Sequence, residues 1–171
     1  MPERSEMPQG PLLRATYDHV AHAASSIRSL LPIYRDLLGG EFIGGGENPR
    51  VGFRTVHLRF EGGGKIELLE PTEGSSFLDS FLAKMGDGGL HHVTYLVPDI
   101  EEAIEACRKM GIEPFGIFLE MSFWKECFLH PRSAGGALIQ LAQPGFDPDE
   151  HSGPSMTLEE FLEHPRNYWA E

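Results

Sequence analysis

Apolar and polar residues alternate along two stretches, Ala15–Ala23 and Leu90–Val97, and each alternation predicts a half-buried strand. A helical period follows the second. Ile100, Ala103, Ile104 and Cys107 recur at helical spacing behind Pro98-Asp99, with Asp99 placed to cap and Glu101-Glu102 suited to the positive helix end. Gly111 stops that helix. The first stretch leads to a predicted helix from about Ser26 to Leu38 that ends at Gly39-Gly40. Pro32 inside it predicts a late start or a kink. Three further strands are expected after each helix: Glu41–Ile43, Gly52–Glu61 and Lys65–Glu70, then Glu113–Phe118, Phe123–Leu129 and Ala137–Ala142. Gly62-Gly63-Gly64 and Ser133-Ala134-Gly135-Gly136 read as matching hairpin turns.

These elements divide the chain into a disordered segment 1–13, a first βαβββ module 14–71, a linker 72–88, a second βαβββ module 89–144 and a tail 145–171. A short helix is expected in the linker region, Ser75–Lys84. Another is expected in the tail, opened by a capping box at Thr157-Leu158-Glu159-Glu160 and closed before Pro165. The fold class is α+β.

The two modules are copies. His19 and His92 lie 73 positions apart, and the same offset carries Ile27 onto Ile100, Arg35 onto Arg108, Phe42 onto Phe115 and Glu67 onto Gln140. No gap is needed over about fifty residues. Strand parity places His19 with Ala21 and Ala23, and His92 with Thr94, on the faces opposite Val20, Val93 and Tyr95. The larger residues suit a covering helix, and the small neighbours leave room for a ligand. Glu67 sits in an otherwise apolar strand, Ile66-Glu67-Leu68, where a carboxylate needs a partner. A lone strand histidine is usually structural. Two histidines, a carboxylate and an amide recurring at one offset instead suggest ligands for Zn, Co, Ni, Mn or Fe.

Composition narrows the function. The formal charge of -12 excludes a nucleic-acid or anionic-membrane surface, but a small anionic substrate can still meet a local cation. Cys107 and Cys127 are too few for a disulfide framework and suit a reducing compartment. No apolar run reaches the roughly 20 residues of a spanning helix, so the expected location is cytoplasmic.

Several segments carry a family resemblance: Asp18-His19-Val20, Tyr34-Arg35-Asp36-Leu37-Leu38-Gly39, Lys65 through Pro71, Gly89-Leu90-His91-His92, and His130-Pro131-Arg132-Ser133 with Gly136 through Leu141. The chain resembles the vicinal oxygen chelate (glyoxalase/bleomycin-resistance/dioxygenase) superfamily over roughly residues 14–144, and within it the methylmalonyl-CoA epimerases. The resemblance implies paired βαβββ modules around a metal cup, with a divalent ion on His19, Glu67, His92 and Gln140. It further implies an isomerase or lyase working through a metal-stabilised enolate. The substrate would be small and oxygen-rich, such as a CoA thioester or an α-keto acid, and a homodimer is expected. Two other readings within reach of the fold are an iron dioxygenase using His19, His92 and Glu67, and a metal-free small-molecule binder.

Two positions depart from the epimerase pattern. Gln140 stands where those enzymes usually carry Glu, and Thr55 stands where they carry a basic Glu. A threonine is no general base near neutral pH. His57 shares Thr55's face and is the expected substitute base, against the alternative of a solvated strand residue. Arg59, on that face too, suits a carboxylate or phosphate. Glu126 shares a face with Trp124 and Phe128, opposite Lys125. It is either a pocket acid among aromatics or a surface charge on an edge strand. His22, His91 and His130 are expected to be structural, and Phe161, Tyr168 and Trp169 to pack on the body or close the cup.

Overall fold

Eight strands form near the expected positions, with several ends shifted, in a computed structural model that describes residues 11–146 and 155–165. They are β1 (Thr16–Ala24), β2 (Glu41–Asn48), β3 (Phe53–Arg59), β4 (Lys65–Pro71), β5 (Gly88–Leu96), β6 (Phe115–Phe118), β7 (Trp124–Leu129) and β8 (Ile139–Pro144). The α-helices are α1 (Asp79–Met85), α2 (Ile100–Lys109) and α3 (Leu158–Glu163). Contacts separate the described chain into one unit of residues 19–91 with 155–165 and another of 11–18 with 92–146. The α+β class and the succession of strands expected for two βαβββ modules are both present. Residues 1–10, 147–154 and 166–171, with Tyr168 and Trp169 among them, lie outside the described residues.

In the first unit the strand order is β2-β3-β4-β1. β1 and β4 run parallel with Ala21 opposite Glu67, and β3 pairs antiparallel with β4 so that His57 is directly opposite Glu67. One face carries Val20, Val56, Leu58, Ile66 and Leu68 into a core completed by Ile27, Leu30, Leu31 and Tyr34. The expected helix Ser26–Leu38 is not continuous. A 3-10 turn covers Ile27–Ser29, and a π-helical stretch with Pro32 at its start covers Pro32–Leu37. The cause is Pro32, which has no N–H to give and whose ring crowds the preceding turn. The helix therefore resets around it, and Leu38 N donates five residues back to Ile33 O at 3.0 Å.

α3 covers what this shortened layer leaves open. Thr157 and Glu160 form the expected capping box. Leu158, Phe161 and Leu162 enter the same core, with the Phe161 ring 5.6 Å from that of Phe42. Glu159 bridges Arg28 and Arg35 at 2.7 and 2.8 Å, exposed pairs that add little beyond orientation. β2 runs through Gly44-Gly45-Gly46 to Asn48, well past the expected end at Ile43. Glycine is a poor strand former, which hides this extension, but here the strand needs it. A Cβ on Gly45 would sit 2.4 Å from Thr55 O and 3.0 Å from the Phe161 ring.

The second unit orders its strands β5-β8-β7-β6. Asp99 caps α2 by accepting from the backbone N–H groups of Glu101 and Glu102, both at 2.9 Å. The helix buries Ile100, Ala103, Ile104 and Cys107 against Cys127 and Leu141. Each large apolar side chain buried this way contributes roughly 1.5–3 kcal/mol. In both units the packing leaves the opposite sheet face to His19 or His92.

Candidate functional site

His19 is held on β1 between neighbours that share its face, and Glu67 is carried there by the parallel pairing with β4. Both are buried. His19 Nε2 lies 3.6 Å from Glu67 Oε2. His57 reaches the other carboxylate oxygen, with Nε2 3.6 Å from Oε1, and its ring stands edge-on to His19 at 5.3 Å. The Thr55 hydroxyl, also buried, donates to Glu67 Oε1 at 2.7 Å. So His57 is on the His19 face and only 29% exposed at its side chain, rather than turned outward to solvent. Arg59 follows on that face opposite Lys65.

The room expected beside His19 is partly filled. Ala21 and Ala23 are fully buried under Leu69 and Leu78, with Phe53, Phe81 and Leu82 packed alongside. Small residues on a strand admit whichever chain segment covers them, and here α1 and the residue before it do so.

On β5, His92 and Thr94 share a face, and both are buried. Thr94 is paired with Gln140 on β8 and donates its hydroxyl to Gln140 Oε1 at 2.6 Å. Gln140 Nε2 donates to Glu126 Oε2 at 2.6 Å, and Trp124 Nε1 donates to that same oxygen at 2.7 Å. The Phe128 ring lies edge-on to His92 at 6.2 Å. Glu126 is thus a half-buried acid among aromatics, not an outward surface charge. The roles of Thr55 and Thr94 as hydroxyl donors went unforeseen. The signal was present, because parity already put Thr94 beside His92.

The remaining histidines do other work. His22 Nδ1 is 2.8 Å from the Tyr34 hydroxyl on the opposite face, and burial holds its pKa below the ordinary imidazole value. His91 packs edge-on to Phe81 at 4.9 Å; burial lowers its pKa, while the Glu67 charge acts in the opposite sense. His130 Nδ1 accepts from Arg132 N at 3.1 Å, the turn chemistry its place before Pro131 suggests.

His19 and Glu67 are donors of the kind a divalent ion takes. Two ligand atoms each ~2.0–2.2 Å from one cation lie roughly 3 Å apart, close to the 3.6 Å between His19 Nε2 and Glu67 Oε2. An amide oxygen has two lone pairs, so Gln140 Oε1 keeps one beyond the bond from Thr94.

The family model described as the Glyoxalase/Bleomycin resistance protein/Dioxygenase superfamily matches residues 18–127. The chain belongs to this superfamily. The mitochondrial methylmalonyl-CoA epimerase of Mus musculus is 32% identical over 128 residues, 74% of this chain and 71% of that protein. The crystal structure of methylmalonyl-CoA epimerase from Mycobacterium tuberculosis matches with TM-score 0.68 at 27% identity, covering 81% of this chain and 93% of that one. A methylmalonyl-CoA epimerase solved with methylmalonyl-CoA and ammonium matches with TM-score 0.66 at 26% identity, covering 84% and 100%. Relatives of this kind support an isomerase of the superfamily. No helix among the described residues is long and apolar enough to cross a membrane.

Proposed function

We propose that the protein is a divalent-metal-dependent isomerase that moves a proton on the carbon beside the carbonyl of a small CoA thioester of the methylmalonyl type. His19, Glu67, His92 and Gln140 would hold the ion. A bound divalent cation would supply Lewis-acid stabilisation of the negative charge that builds on the substrate oxygens as the proton leaves. The observation that carries the reading is the buried Glu67 carboxylate, set between the Thr55 hydroxyl and the imidazoles of His19 and His57. A buried charge with this surrounding is costly unless a cation or donors meet it. The names of the relatives support this substrate class.

His57 is the proposed base. It can take a proton near neutral pH, which Thr55 cannot. Glu126 is the proposed second proton carrier, on the His92 side. With Glu67 charged and Gln140 neutral, the four ligands bring one negative charge to the ion, and a divalent ion keeps a net positive charge for the substrate. The reading also carries a cytoplasmic location and a homodimer, which cell fractionation and sedimentation test.

The decisive experiment incubates metal-loaded protein with methylmalonyl-CoA in heavy water and follows exchange at C2. Exchange that disappears in His57→Ala while the metal stays bound is the expected result. No exchange by the loaded wild type sinks the epimerase assignment, and full exchange by the variant sinks the role of His57. Metal analysis of the purified protein separates the other readings: iron favours oxygen chemistry, and failure to bind any added metal favours a binder.

A further inference from the structure

A glutamine is a good cation ligand only when its oxygen, and not its nitrogen, points at the ion. The two ends of a carboxamide are nearly the same size, so shape alone does not decide between them. Around Gln140 the chemistry decides. Its Nε2 lies 2.6 Å from Glu126 Oε2, and a carboxylate only accepts, so only the N–H end can face it. A turned amide would set two acceptor oxygens against each other at that distance. The opposite end receives the hydroxyl of fully buried Thr94 at 2.6 Å. Glu126 is itself held by the Trp124 indole N–H at 2.7 Å. The donors run in one direction: Trp124 and Gln140 both give to Glu126, and Thr94 gives to Gln140.

We infer that Glu126 and Thr94 are positioning residues that lock the Gln140 amide with its oxygen available as a ligand, a role that rests on the metal reading above. The assignment gives Glu126 a task that does not depend on its moving a proton. It also links two positions that look unrelated in the sequence. A glutamate at 140 would bring a second carboxylate against Glu126, where like charges resist sharing a site. Glutamine at 140 and glutamate at 126 are therefore one unit. The carboxylate of this half of the site has been set one residue away from the proposed ion.

The test reads the amide directly and the metal separately. Side-chain NH2 signals of Gln140, assigned by their loss in Gln140→Met, should be shifted from the free-glutamine position in the wild type and return to it in Glu126→Leu. Calorimetric titration of the metal-free protein with Co2+ should show affinity falling about 10-fold or more in Glu126→Leu, within the range for losing a partner of a metal ligand. Glu126→Gln, which still offers an acceptor oxygen, should recover most of it. If Glu126→Leu does not fold, Thr94→Val releases the other end and is read the same way. Gln140 signals that do not move in the variant, or Co2+ affinity unchanged from a wild type that binds, overturn the proposal. Shifted signals in a wild type that binds no Co2+ would support the lock and remove the metal reading instead.

Discussion

Replacing Thr55 with valine removes one hydroxyl from beneath the Glu67 carboxylate and almost nothing else. Valine keeps the β-branched shape that suits β3, and position 55 is buried, so water does not readily replace the lost donor. The bond at stake is 2.7 Å long, from a hydroxyl to a carboxylate. Hydrogen bonds to charged groups contribute roughly 1.5–3 kcal/mol, and leaving the buried acceptor short of a donor costs on the same scale. Thr55→Val should therefore destabilise the metal-free protein by about 2 kcal/mol. With a urea slope of about 2 kcal/mol/M, the midpoint falls by roughly 1 M. Urea titrations with a chelator present read this without ligand stabilisation masking it. Thr55→Ser, which restores the hydroxyl, should return most of the loss. A Thr55→Val midpoint equal to the wild type would refute the argument that this hydroxyl supports the carboxylate.

Phe161→Ala should cost about 3–5 kcal/mol, as for other large-to-small changes at fully buried aromatic positions; a loss under about 1 kcal/mol would show that α3 does not share the core of the first unit. His22 gives a pH test. Its folded pKa is lowered by burial, so the unfolded chain takes up the proton first. The resulting stability is complete above the ordinary value of about 6.5 and is lost as pH falls through that value towards the lower folded pKa. The wild type should thus lose more stability than His22→Leu between neutral and mildly acid pH, and parallel melting curves would contradict this. Burial pushes the Cys127 thiol up to about 12 and also raises Cys107. Both should ignore a disulfide reagent at pH 8 in the native state and react once denatured; a fast native reaction would count against their placement.

The ligand pattern was legible because a constant offset is hard to hide. His19 with Glu67 and His92 with Gln140 repeat without a gap, and strand parity alone put Val20 and His19 on opposite faces. α2 was legible for a local reason: Asp99, the glutamates behind it and Gly111 all act within a few residues. The first module's helix was only half legible. Pro32 announced a disturbance, but whether the chain kinks or resets depends on packing over Val56 and Leu58. The length of β2 was concealed by Gly44-Gly45-Gly46, of which Gly45 admits a close approach by Phe161 from the far end of the sequence. The hydroxyl donors escaped because Thr55 and Thr94 are not related by the repeat. The offset carries Thr55 onto Phe128 and Thr94 back onto Ala21, so symmetry gives no hint of either.

The docking of α3 bears on the order in which the protein can mature during synthesis. The core over Val56, Leu58 and Leu68 is finished by Leu158, Phe161 and Leu162, residues translated after every strand described here. Until they leave the ribosome, the earlier-made strands carry an incompletely covered apolar face, a state prone to association with other chains or capture by chaperones. The later-made strands have no such wait, since α2 precedes both β7 and β8, on which it packs in the second core. The module that is made first is thus the one that is completed last.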